Sequence, residues 1–105
     1  MGEGVSRERR LRISLRAYHS MLERVRAILP VGLIINSQMH NRWIEVWTPD
    51  LQIALTLQFR WLRASNGETS GLWYINGKQD WSDLDKTIIN TYNKVVGGKR
   101  VRLFY

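Results

Sequence analysis

Hydrophobic and polar positions alternate or recur along most of this chain, and the spacing changes character several times. In "RRLRISLR" the apolar residues are Leu11, Ile13 and Leu15, separated by Arg10, Arg12, Ser14 and Arg16. That period of two predicts a strand over 10–16, one side apolar and the other carrying guanidinium groups. The spacing then shifts. Met21, Leu22, Val25, Ile28 and Leu29 fall on one helical stripe, so 18–30 reads as a helix ended by Pro30. Residues 31–35, "VGLII", are a short strand or a buried lead-in, and 36–41 are turn-like.

"RWIEVWT" (42–48) alternates again, with Trp43, Glu45 and Trp47 on one face and Ile44 and Val46 on the other. Pro49-Asp50 is a turn. A long strand follows over 52–64, then a hairpin loop at 65–71 with an Asn-Gly step, and a return strand at 72–76 ended by Asn76-Gly77. Ser82 is placed to cap a second helix whose apolar side is Leu84, Ile88, Tyr92, Val95 and Val96. Gly97-Gly98 supplies its stop. "KRVRLFY" (99–105) reads as a closing strand, with Arg100, Arg102 and Phe104 on one side and Val101 and Leu103 on the other.

The predicted order is β-α-β-β-β-α-β. It implies one α+β domain over 10–105, preceded by a flexible basic lead over 1–9. The expected architecture is a ferredoxin-like sandwich, one antiparallel sheet of four to five strands packed on two helices. In that topology the first and last strands are neighbours. Arg10, Arg12, Arg16, Arg100 and Arg102 would then share one open face with Phe104.

Charge sharpens this expectation. The chain has 105 residues and a net charge of +7. Residues 1–26 hold seven Arg and three Glu, 99–105 add three cations, and 27–98 balance to zero. Excess placed only at the ends is what an anionic partner would meet. Arg offers planar, bidentate, permanently charged donors to phosphate, and aromatic rings on the same sheet would stack bases. Trp43 and Trp47, together with Trp61 and Trp73, would stack bases if they lie on the open face, although tryptophans at alternate strand positions also suit a core.

The absence of cysteine excludes disulfides and thiolate metal sites. No apolar run is long enough to span a bilayer, and the Arg-rich start lacks the apolar stretch of a signal peptide. An intracellular setting, in the cytoplasm or an organelle matrix, is expected. Gly2 and Ser6 formally match a myristoylation pattern, which Glu3 disfavours. No cofactor or metal is implied.

Both ends resemble the family of small-subunit ribosomal protein number ten, also known as NusE. "LRISLRAYHSMLERV" matches that family's basic strand running into a helix, and "DLDKTIINTYNKVVGGKRVRLFY" matches its closing Asp-Lys-Thr helix, glycine turn and strand. The likeness covers about residues 10–29 and 83–105. The Trp-rich middle departs from the long basic loop of that family. The resemblance implies an RNA partner and a place in a ribonucleoprotein.

The sequence therefore predicts a non-enzymatic RNA-binding protein, with phosphate contacts from the terminal Arg residues. Two alternatives remain open at this stage. One is a protein-interaction or homodimerisation module using the Trp-rich sheet. The other is a small basic ribonuclease using His19 and His40, with Glu45 assisting.

Overall fold

The computed structural model describes residues 6–79 and 83–104, with side chains described as far as Gly97. Helix α1 spans Arg7–Ile28. Strands β1 (Ile34–Gln38), β2 (Trp43–Trp47), β3 (Ile53–Arg63), β4 (Thr69–Ile75) and β5 (Lys78–Gln79) follow, with a 3-10 turn at Met39–Asn41, and helix α2 spans Leu84–Phe104. The strands form one antiparallel sheet in chain order, β1 to β5. The described residues thus form an α+β structure with one five-stranded sheet and two helices.

One antiparallel sheet packed on two helices is as expected, but both terminal segments differ from the expectation. Residues 10–16 are not a strand. They belong to α1, which begins at Arg7, so Arg7–Arg9 are its first turn and not part of a loose lead. Ser6 caps this end by accepting from the Arg9 amide at 3.2 Å, and its carbonyl accepts from the Arg10 amide at 2.9 Å. The buried side chains Ser14, Tyr18, Met21 and Val25 recur every three to four residues, and this helical stripe runs back through the segment. Leu11 remains half exposed, at the border of a groove shared with Phe59 and Trp61 of β3.

The closing strand is likewise absent. The backbone of 99–104 continues α2, so Lys99, Arg100 and Arg102 fall in its closing turns. Gly97 has no left-handed φ and so does not stop the helix. Each helical glycine costs about 1 kcal/mol relative to alanine, which the packed Ile88 and Tyr92 turns offset. Ser82, the expected cap, lies outside the described residues. Asp83 does that job, its carboxylate accepting from the Lys86 amide at 3.3 Å.

The core is a single cluster on one face of the sheet. Tyr18, Met21, Val25 and Leu29 from the α1 segment and Ile88 and Tyr92 of α2 meet Ile44, Val46, Leu55, Leu57, Trp73 and Ile75. The register aligns Ile44 with Leu57 and Leu57 with Ile75, so these side chains share that face. Arg24 Nε lies 3.2 Å from Asp85 Oδ1, tying α1 to the start of α2. The Asn76-Gly77 pair, with φ of 51° and 80°, forms a two-residue turn that reverses the chain into β5.

Candidate functional site

Two chemically distinct surfaces emerge from this arrangement. The first is the amino-terminal half of α1. Between Arg7 and Leu22 its only acidic residue is Glu8, against Arg7, Arg9, Arg10, Arg12 and Arg16. Arg9, Arg12 and Arg16 stand at i, i+3 and i+7, and with Ile13 they border a shallow surface depression. By helical geometry this stripe lies opposite the buried line through Ser14, Tyr18 and Met21.

Arg7 and Arg10 lie on the other side of the helix. There they border a groove of about 460 Å3, together with Ser14, His40, Arg42 and Trp61. The groove is held by an unusual residue. Arg42 takes φ 52°, a left-handed conformation that costs a side-chain-bearing residue about 1–2 kcal/mol. Its backbone amide donates to Met39 O at 3.1 Å, and its carbonyl accepts from the Phe59 amide at 3.1 Å. Its guanidinium donates from Nε to Ser14 Oγ at 2.9 Å and from Nη1 to the Met39 carbonyl. Ser14, only 5% exposed, donates its own hydroxyl hydrogen to Leu11 O at 3.0 Å. One cation is thereby fixed at the groove wall, with Trp61 packed edge-on against Phe59 beside it.

The second surface is the open face of the sheet. Glu45 stands between Trp43 and Trp47 on β2 and accepts from both indoles, at 2.9 Å from Trp43 Nε1 and 3.0 Å from Trp47 Nε1. Asn36 Nδ2 of β1 adds a third donor at 3.2 Å. These donors, the Trp43 indole first, hold the Glu45 carboxyl below its ordinary range against a small opposing effect of burial. Farther along the face, the Arg60 guanidinium lies over the Tyr74 ring at 5.1 Å from its centre.

This clasp makes stability depend on pH. A carboxyl whose folded pKa is depressed contributes stability above its unfolded pKa, near 4.5, and loses it as pH falls through the lower folded value. Glu45→Gln is expected to lower stability by about 1–2 kcal/mol at pH 7, the range for hydrogen bonds to a charged group after reduction for solvent screening. Thermal melts at pH 7, 5 and 3 are expected to show that deficit shrinking below about pH 4. A deficit independent of pH would assign the effect to packing instead.

Most of the sequence-predicted site residues are therefore found apart. Trp43 and Trp47 do face the open side of the sheet, half-buried, with their ring nitrogens engaged. Arg10, Arg12 and Arg16 are on a helix, on two different sides of it, and not on that face. Arg100, Arg102 and Phe104 belong to α2, and their side chains lie outside the described ones. The shared strip of terminal-strand arginines thus has no counterpart, because neither terminal strand forms. Trp73 is core. His40 borders the groove, whereas His19 is set edge-on against Tyr18. Sequence reasoning missed Arg7, Arg9 and Arg42, and Trp61, a stacking candidate for the open face, lines the groove on the helix side instead. The i, i+3, i+7 spacing of Arg9, Arg12 and Arg16 was the available signal for the stripe. Nothing in the sequence marks Arg42.

Among the described residues, no group of three His, Cys, Asp or Glu side chains stands close enough together to hold a metal ion. Among the same residues, no helix is long and apolar enough to cross a membrane. No family model, curated protein or solved structure matches this chain.

Proposed function

We propose that the protein is a non-enzymatic RNA-binding module whose phosphate-contacting surface is the first half of α1. The observation that carries this reading is the set of five arginines around three helical turns, accompanied by one acidic residue. Cations at the amino-terminal end of a helix oppose its dipole, at about 0.3–1 kcal/mol each in the first turn. A solvated helix face could be charged with Lys and Glu in balance at no such cost. Arg7, Arg10 and Arg42 beside the half-exposed Trp61 add the pairing of guanidinium and aromatic ring that single-stranded RNA engages through phosphate and base. The resemblance of both ends to the ribosomal protein family points to the same partner and to a ribonucleoprotein setting, although that family carries a strand at each end where this chain is helical.

The test is fluorescence anisotropy with a labelled single-stranded RNA of about 20 nucleotides, titrated at several salt concentrations. Five phosphate contacts on a single strand predict a log–log salt slope of about −3.5, and hence an affinity loss of about 100-fold between 50 and 200 mM salt. Failure to bind any polynucleotide at about 20 mM salt would remove the reading.

A further inference from the structure

The sheet has two edges, and they are treated differently. β5 is two residues long and carries Lys78, a short, charged edge of the kind that discourages pairing with another chain. β1 has none of these defences. Its five residues, Ile34, Ile35, Asn36, Ser37 and Gln38, include no charge, proline or glycine. Its pairing with β2 is regular through all five positions, so no bulge turns it aside. It stands at the end of the sheet, and four of its five residues are exposed.

Apolar side chains flank this edge on both faces. On the open face, Ile34 is 45% exposed and lies in one row with Trp47 and the exposed Ile53. On the helix face, a groove of about 290 Å3 runs between the last turn of α1 and the edge, lined by Val25, Leu29, Leu33 and Ile35 with Arg26 as its one charged side chain. Val31, 97% exposed, is at its rim.

From this we infer that the outer edge of β1 pairs antiparallel with the same edge of a second copy, giving a two-fold dimer with one continuous sheet of both copies' strands. The strand is self-complementary for that purpose. Full overlap of its five residues places Asn36 on the two-fold axis, opposite itself. Ile34 then faces Gln38 and Ile35 faces Ser37, and no pair sets like charges against each other. The same register carries Met39, exposed just beyond the strand, opposite Leu33 of the other copy. Its flexible thioether is suited to the mouth of that copy's apolar groove. The inference stands apart from RNA binding, since no arginine from the first half of α1 takes part in it.

Sedimentation equilibrium of the nuclease-treated full chain, over about 1–200 μM in about 0.5 M salt, tests it. The wild-type protein is expected to pass from monomer to dimer across that range. Asn36→Lys sets two ammonium groups against each other on the axis. In the monomer the introduced ammonium lies beside Glu45 and takes over the contact that the Asn36 amide makes. This variant is expected to weaken association at least about tenfold with an unchanged melting midpoint. Hydrogen exchange provides a second reading that needs no variant: protection of the amides of 34–38 should rise with wild-type concentration. A wild-type chain that stays monomeric throughout, or an Asn36→Lys variant that dimerises as tightly as wild type, overturns the inference.

Discussion

Replacing Arg9, Arg12 and Arg16 together with glutamine is expected to abolish most RNA affinity while leaving the fold as stable or slightly more so. These three residues are the outward stripe of α1, opposite the buried line, and no core side chain depends on them. Glutamine has nearly the helix propensity of arginine, so the helix itself is not penalised. Removing positive charge from the half of the helix nearest its positive pole relieves an unfavourable interaction, and the melting midpoint should hold or rise by a degree or two. Binding should respond in the opposite direction. Three lost phosphate contacts take the salt slope from about −3.5 to about −1.4, and each charge-assisted contact contributes roughly 1.5–3 kcal/mol. The affinity loss at low salt is then on the order of 1,000-fold or more, read by the same anisotropy titration. A variant that binds as well as the wild type with an unaltered slope would show that the stripe is only a solvated face, and would move attention to the groove beside Arg42.

Gly71→Ala is expected to clash more severely than alanine at any other described glycine. Gly71 sits inside β4, directly across from Trp61, and its φ is not in the left-handed range, so conformational freedom is not the reason for glycine here. The reason is space. A Cβ at this position would lie 2.3 Å from Phe59 Cζ and 2.9 Å from Phe59 Cε2, well inside contact distance. The Phe59 ring cannot easily swing away. It is packed edge-on between Trp61, with ring centres 5.6 Å apart, and Trp73, at 5.4 Å. Forcing an extra carbon into such a site costs about 1–3 kcal/mol. For a chain of this length each 1 kcal/mol lowers the melting midpoint by about 4–8 °C. Thermal denaturation should therefore place Gly71→Ala roughly 10 °C below wild type. Combined with Phe59→Leu, which vacates the ring, the two substitutions should cost less than their sum. Strict additivity would place the origin of the loss elsewhere.

The middle of the chain was largely legible from its spacing. Alternation in "RWIEVWT" separates Ile44 and Val46, which reach the core, from Trp43, Glu45 and Trp47, which do not. Asn76-Gly77 announces a reversal, and the structure adds only that the chain pairs again afterwards as β5. The ends were misread for identifiable reasons. Over so short a segment, Leu11, Ile13 and Leu15 fit a period of two as well as anything longer. The residue that continues the helical stripe through the segment is Ser14, which is polar. It can be buried only because Leu11 O and the Arg42 guanidinium satisfy its hydroxyl, and a partner 28 positions away is invisible to local pattern. At the other end, two consecutive glycines normally signal a stop, but a helix already anchored by Ile88 and Tyr92 can carry through them. The clustering of arginine was legible. Its geometry was not, because a strand and a helix distribute the same residues in different directions.

The order of the sheet has a consequence for how the chain is made. Every strand pairs with its sequence neighbour, so each β ladder closes over a short loop and can form quickly once both strands exist. The first helix has no such local partner. During synthesis it is complete about thirty-five residues before β3 is, with Tyr18, Met21, Val25 and Leu29 still uncovered. For those seconds the apolar side of the nascent polypeptide is an amphipathic rod with a strongly cationic head.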